Sequence, residues 1–137
     1  MPKLASVTLE VDMGKYKSVK VPLDVAERLI VDVSKRLNIE SKDVMESLRI
    51  VRNFDEFYEF QQKKFKDYVV PDKDISDMIK GAVVVDSLKL IKEGSSREVV
   101  VTFDRRVNES VIIDSLRSLG FDVEVKRFDL MQLLKAK

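Results

Sequence analysis

The 137-residue chain contains no histidine, no cysteine and no tryptophan, and only four glycines and three prolines. Without histidine there is no imidazole to move protons near neutral pH. Without cysteine there is no thiolate nucleophile, no disulfide framework and no thiolate ligand for zinc. Asp, Glu, Lys, Arg, Ser, Thr and Tyr are the side chains left for catalysis, and no spacing among them marks an enzyme. The glycines, at positions 14, 81, 94 and 120, are isolated, which excludes a Gly-rich phosphate loop. No apolar run approaches the ~20 residues that span a bilayer. The opening Met-Pro-Lys-Leu-Ala-Ser lacks the apolar core of a signal peptide. The expectation is a cytoplasmic, non-enzymatic protein with no cofactor, no metal and no membrane partner.

An excess of one charge is also missing. Lys and Arg number 25 against 24 Asp and Glu, a net +1. A protein that blankets nucleic-acid phosphates shows a clear basic excess, so any such role here needs a local patch. What the chain does have is 45% hydrophobic and 36% charged residues, enough to fold and stay soluble. Dense charge of mixed sign with few Asn and Gln is the bias of proteins that use ion-pair networks at high temperature, and a thermophilic source is expected.

The apolar pattern divides the chain. Val7, Leu9 and Val11 alternate with Thr8, Glu10 and Asp12, and with the turn Met13-Gly14-Lys15 and a strand over 17–21 they predict a hairpin. Pro22 ends that strand and suits a helix entry. Val25, Leu29, Ile30, Val33 and Leu37 recur at helical spacing. Asn38-Ile39-Glu40 breaks that helix, and Ser41 is placed to cap the next. Val44, Leu48, Val51, Phe54, Tyr58, Gln61, Phe65 and Tyr68 predict one long helix, rich in aromatics, that stops at Pro71. A short helix over 74–79, strands over 83–91 and 98–103, a helix opened by Asn108 or Glu109 and stopped at Gly120, and a strand over 121–125 complete the pattern. Leu130, Met131, Leu133 and Leu134 mark a short amphipathic end, which fits packing on the sheet or docking on a partner.

The fold class expected is α+β: two strand-strand-helix units, 7–39 and 88–121, with the long aromatic helix between them. Val19-Lys20-Val21 and Val99-Val100-Val101 occupy matching places in the two units, a pattern that duplication or convergence of form both explain. Residues 1–70 form one segment, a possible DNA-binding or dimerisation unit, and 71–137 a small α+β unit packed on it. The strand-helix-strand pattern over 99–125 looks like the second half of a ferredoxin-like fold, an architecture that hosts many functions.

Two binding readings follow. Val19-Lys20-Val21-Pro22-Leu23-Asp24, then Lys35-Arg36-Leu37-Asn38-Ile39, then Ser41-Lys42-Asp43-Val44 resembles the ribbon-helix-helix family of DNA-binding regulators over residues 16–54. That resemblance implies a homodimer whose paired strands lie in the major groove of double-stranded DNA. It implies Tyr16, Ser18 and Lys20 at the bases, with Ser41 and Lys42 at a phosphate on the helix N-terminus. The hairpin and helix over 6–37 also look like the opening of a ubiquitin-like fold. The alternative function is a protein-interaction or assembly subunit, with Phe54, Phe57, Tyr58, Phe60 and Phe65 as its interface. Asp104-Arg105-Arg106 is a candidate anion grip, Lys63, Lys64 and Lys66 a candidate nucleic-acid patch, and Asp72, Asp74 and Asp77 a spacing that misses the Gly and Glu of a calcium loop.

Overall fold

The computed structural model describes residues 5–12, 16–64 and 68–128. The predicted Met13-Gly14-Lys15 turn, Phe65, Lys66 and the apolar end 130–134 lie outside them. Strands β1 (Ala5–Asp12) and β2 (Tyr16–Pro22) lead into helix α1 (Leu23–Leu37). Helices α2 (Lys42–Arg52), α3 (Phe54–Lys63) and α4 (Ile75–Lys80) follow, then β3 (Val85–Glu93), β4 (Ser96–Phe103), α5 (Glu109–Ser118) and β5 (Phe121–Phe128).

The strands make one mixed sheet in the order β3-β4-β2-β1-β5, in which β1 and β5 are parallel and the other pairs antiparallel. The α+β class is therefore the observed one. The β4-α5-β5 unit forms, but β2 and β1 lie between its two strands, so the C-terminal half has no sheet of its own. Segments 1–70 and 71–137 contribute to one sheet and one core.

Side chains alternate across that sheet. Leu9, Val19, Val21, Val99, Val101, Phe103, Leu88 and Leu90 are all within 1% of complete burial. They meet Ala26, Leu29, Ile30 and Val33 of α1, Val44 and Val51 of α2, Phe54 of α3, and Ile112 and Leu116 of α5. Each such aliphatic side chain contributes about 1.5–3 kcal/mol of transfer free energy. On the opposite face Ser6, Glu10, Lys20 and Lys89 are exposed, and no helix among the described residues covers them.

Local chemistry sets the helix ends. Pro22 precedes α1, Asp24 sits in its first turn, and Lys35 and Arg36 in its last, each matching the helix dipole. Asn38 takes the left-handed conformation (φ 55°), and the amides of Asn38 and Ile39 close on the carbonyls of Lys35 and Ser34. Asn108 caps α5 by accepting from the Ser110 amide at 2.9 Å. Gly120, at φ 97°, lets the chain reverse between α5 and β5.

The expected single long helix is instead two. Asn53 leaves helical geometry (φ −119°, ψ 44°), and its Nδ2 donates to the Arg49 carbonyl at 2.8 Å. A short amide side chain that satisfies the preceding turn competes with the backbone for that acceptor. The break re-aims α3 against β3. Tyr68 falls beyond the helix, in a segment whose Val69 forms a bridge to Leu88.

The two strand-strand-helix units meet at β2 and β4. There Lys20 pairs with Val100, flanked by Val19 with Val101 and Val21 with Val99. These are the matching triplets of the sequence, so an approximate two-fold axis passes through the Lys20–Val100 pair. α1 and α5 lie against each other on the covered face. Asp32 of α1 accepts from Arg36 Nε at 2.7 Å and from Ser115 Oγ of α5. The Arg36 bond first, then the Ser115 bond, hold the Asp32 carboxyl below its ordinary pKa. A group depressed in the folded state stabilises fully above its unfolded pKa and loses that contribution as pH falls through the folded value. Asp32→Asn is therefore expected to cost about 0.5–1 kcal/mol at neutral pH. In thermal melts the gap between variant and parent should close as pH falls below the ordinary aspartate range.

Candidate interaction surfaces

The residues of the DNA reading do not converge. Tyr16 and Lys20 are exposed and Ser18 half-buried on the helix-free face, while Val19 and Val21 point into the core. Ser41 and Lys42 open α2, which packs on the other side of the sheet through Val44, Leu48 and Val51. Ser41 is 2% exposed, and its Oγ makes no hydrogen bond. The Lys42 amide, offered to a phosphate by the family resemblance, lies 3.2 Å from the Asp77 carboxylate. β2 also has both edges paired, to β1 and β4, which leaves no edge for an intermolecular ribbon.

Charge on the helix-free face runs the wrong way for phosphate. The strand register sets Glu10, Asp12, Glu98, Asp122 and Glu124 on it beside Lys20, Lys89 and Lys126. Lys20 itself is 3.6 Å from Glu98. The other basic candidates are also committed or dispersed. Arg106 is tied to Asp104 at 3.0 Å and donates to the Met78 carbonyl, while the Arg105 carbonyl accepts from Lys17 Nζ. Lys63 and Lys64 are exposed. Asp74 caps α4 through the Ser76 amide, so its carboxylate is engaged in the fold.

The aromatic helix divides between core and surface. Phe54 is 3% exposed and stacks on Tyr58 with ring centroids 5.9 Å apart. Phe57 and Tyr58 pack against the core, and the Arg49 guanidinium lies 5.2 Å from the Phe57 ring. Phe60 is exposed. Of the described members of the expected interface, then, Phe60 is the one on open surface and Phe54 is a core residue. Phe54 continues the apolar stripe of Val44, Leu48 and Val51, all buried, whereas Phe60 lies off it. The short helix expected over 74–79 forms as α4, but the sequence reading did not single out its surface, on which Ile75, Met78 and Ile79 are all exposed and no residue is buried. A groove of about 750 Å³ between α1 and α2 is lined by Val31, Ile39, Val44, Met45 and Leu48.

The two edges of the sheet are treated differently. A bare edge strand presents unpaired amides and carbonyls to any other strand. From Val84 to Leu90 such groups are engaged. Asp43, fully buried on α2, accepts from the Val84 and Val85 amides at 2.9 and 2.8 Å. Lys73 Nζ donates to the Asp86 carbonyl at 3.1 Å. Val69 exchanges both backbone bonds with Leu88. Gln61, 3% exposed, sets its side-chain amide against Leu90, donating to its carbonyl and accepting from its amide at 3.1 Å each. Among the described residues β5 has no such cover, and its one strand partner is β1.

Comparison of the chain with protein-family models, with curated proteins and with solved structures gave no match. No helix among the described residues is long and apolar enough to cross a membrane. Nor do any three acidic side chains among them cluster as metal ligands.

Sealing by Gln61 has a measurable consequence. Gln61→Leu removes both partners of the buried Leu90 backbone groups, at a cost of about 1–3 kcal/mol. The expected result is a lower denaturant midpoint and lost exchange protection at the Leu90 amide. Gln62→Leu, at an exposed neighbour, should leave both unchanged.

Proposed function

We propose that this chain is a non-catalytic assembly subunit that acts by associating with protein, in the first place with itself. The observation that carries the reading is the contrast between a β3 edge covered by Asp43, Lys73, Val69 and Gln61 and a β5 edge that no described residue covers. Natural sheets hide or blunt edges that are not meant to pair. A chain that covers one edge with four separate devices, and covers the other with none among the described residues, has a use for the second.

Composition supports the same reading, because a chain without imidazole or thiol is poorly equipped for turnover. So does the apolar surface of α4 with Ile75, Met78 and Ile79, since large exposed apolar side chains gathered in one place mark association sites. DNA binding is the second reading, favoured by one observation: Tyr16, Ser18 and Lys20 share a face that no described helix covers. The carboxylates around them and the Asp77 carboxylate at the α2 N-terminus weigh against it.

Sedimentation equilibrium of the unaltered chain tests the first reading, with a reversible dimer as the expected result. A monomer persisting to on the order of 100 μM, where even weak specific pairs form, refutes it. In a gel-shift assay at low salt, where phosphate contacts are strongest, no retardation of duplex DNA is expected. A retarded band that disappears with Lys20→Glu would instead put the DNA reading first.

A further inference from the structure

Burial differs between the two edges in step with their sealing. At the β3 edge Leu88 and Leu90 are 0% and 1% exposed. At the β5 edge Phe121, Val123 and Val125 face the same core yet stay half-buried, although Val7 and Leu9, paired with Val123 and Val125 on β1, are 8% and 0% exposed. The core is thus complete on one side and continues to the rim on the other.

The opposite face of β5 carries Asp122, Glu124 and Lys126, all exposed. A two-fold axis perpendicular to a sheet brings identical edge strands together antiparallel. Centring that axis on Glu124 sets Asp122 opposite the second copy's Lys126 twice but Glu124 against itself, and centring it on Val123 sets Glu124 against Asp122 twice. Centring it on Val125 sets Glu124 opposite the second copy's Lys126 twice, and packs Val125 on its own copy on the core face. Opposite charges directly across a strand pair are favourable and like charges are not.

From this we infer that a second copy of the chain pairs with β5, antiparallel and centred on Val125, joining the two sheets into one. The inference rests on the assembly reading and adds to it the surface, the direction and the register.

Charge exchange tests it by sedimentation equilibrium at low ionic strength. Glu124→Lys and Lys126→Glu, both at exposed positions, should each weaken the dimer about tenfold or more, because each creates two like-charge pairs. Mixed in equal amounts, the two single variants should associate with each other, and the double variant should recover the parental dimer. Circular dichroism melts matching the parent confirm that each variant is folded. A parental dimer that neither single substitution weakens, or that mixing and doubling fail to restore, overturns the β5 pairing while leaving the assembly reading intact. Tolerance of Glu124→Lys with sensitivity to Lys126→Glu overturns the register, since it fits an axis on Glu124. A parent that is monomeric throughout overturns both readings.

Discussion

The antiparallel pairing of β2 with β4 is the constraint on which the rest of the molecule depends. It joins residues about eighty positions apart, through the Lys20–Val100 pair, and makes one sheet from two hairpins. Once those strands are central, β1 and β3 flank them and α1 and α5 must share one face. Loop closure over that distance costs entropy. The valines at 19, 21, 99 and 101 offset part of it by burying their side chains completely or nearly so.

From that centre follows the problem of edges. The β3 edge is covered by four groups that arrive from α2, α3 and the segment before α4, two of them side chains that would be expensive to bury alone. Asp43 and Gln61 are tolerated in the interior because each satisfies backbone groups that would otherwise stand unpaired. The insertion of α2 and α3 between β2 and β3 is therefore an edge cover as well as a core layer. β5, added after the paired units, extends the sheet on the side that has no such insertion.

How far the site was legible depended on whether its signal was local. Alternation over 7–11 and helical spacing over 25–37 correctly mark β1 and α1, because burial on one face is written in the period of the chain itself. Gln61 lay on an apolar stripe and was counted as part of it. A lone amide at such a position is the signal that could have been read, since a buried amide needs partners. Asn53 likewise carried a breaking tendency that the aromatic spacing around it concealed. The DNA reading placed Tyr16, Ser18 and Lys20 on one face, as alternation requires. It joined them to Ser41 and Lys42 only by analogy, and the sheet stands between the two groups.

The chain's own order of residues determined the strands, the helices apart from the break at Asn53, most inward-facing side chains and the shortage of catalytic groups, since each depends on neighbours a few positions apart. Tertiary structure alone decided which strands lie at the edges, that Phe54 goes inside, and that Gln61 meets Leu90 and Asp43 meets Val84 and Val85. Those contacts join parts of the chain separated by 29 to 42 residues. No periodicity encodes them, because they exist only after the sheet has brought distant elements together.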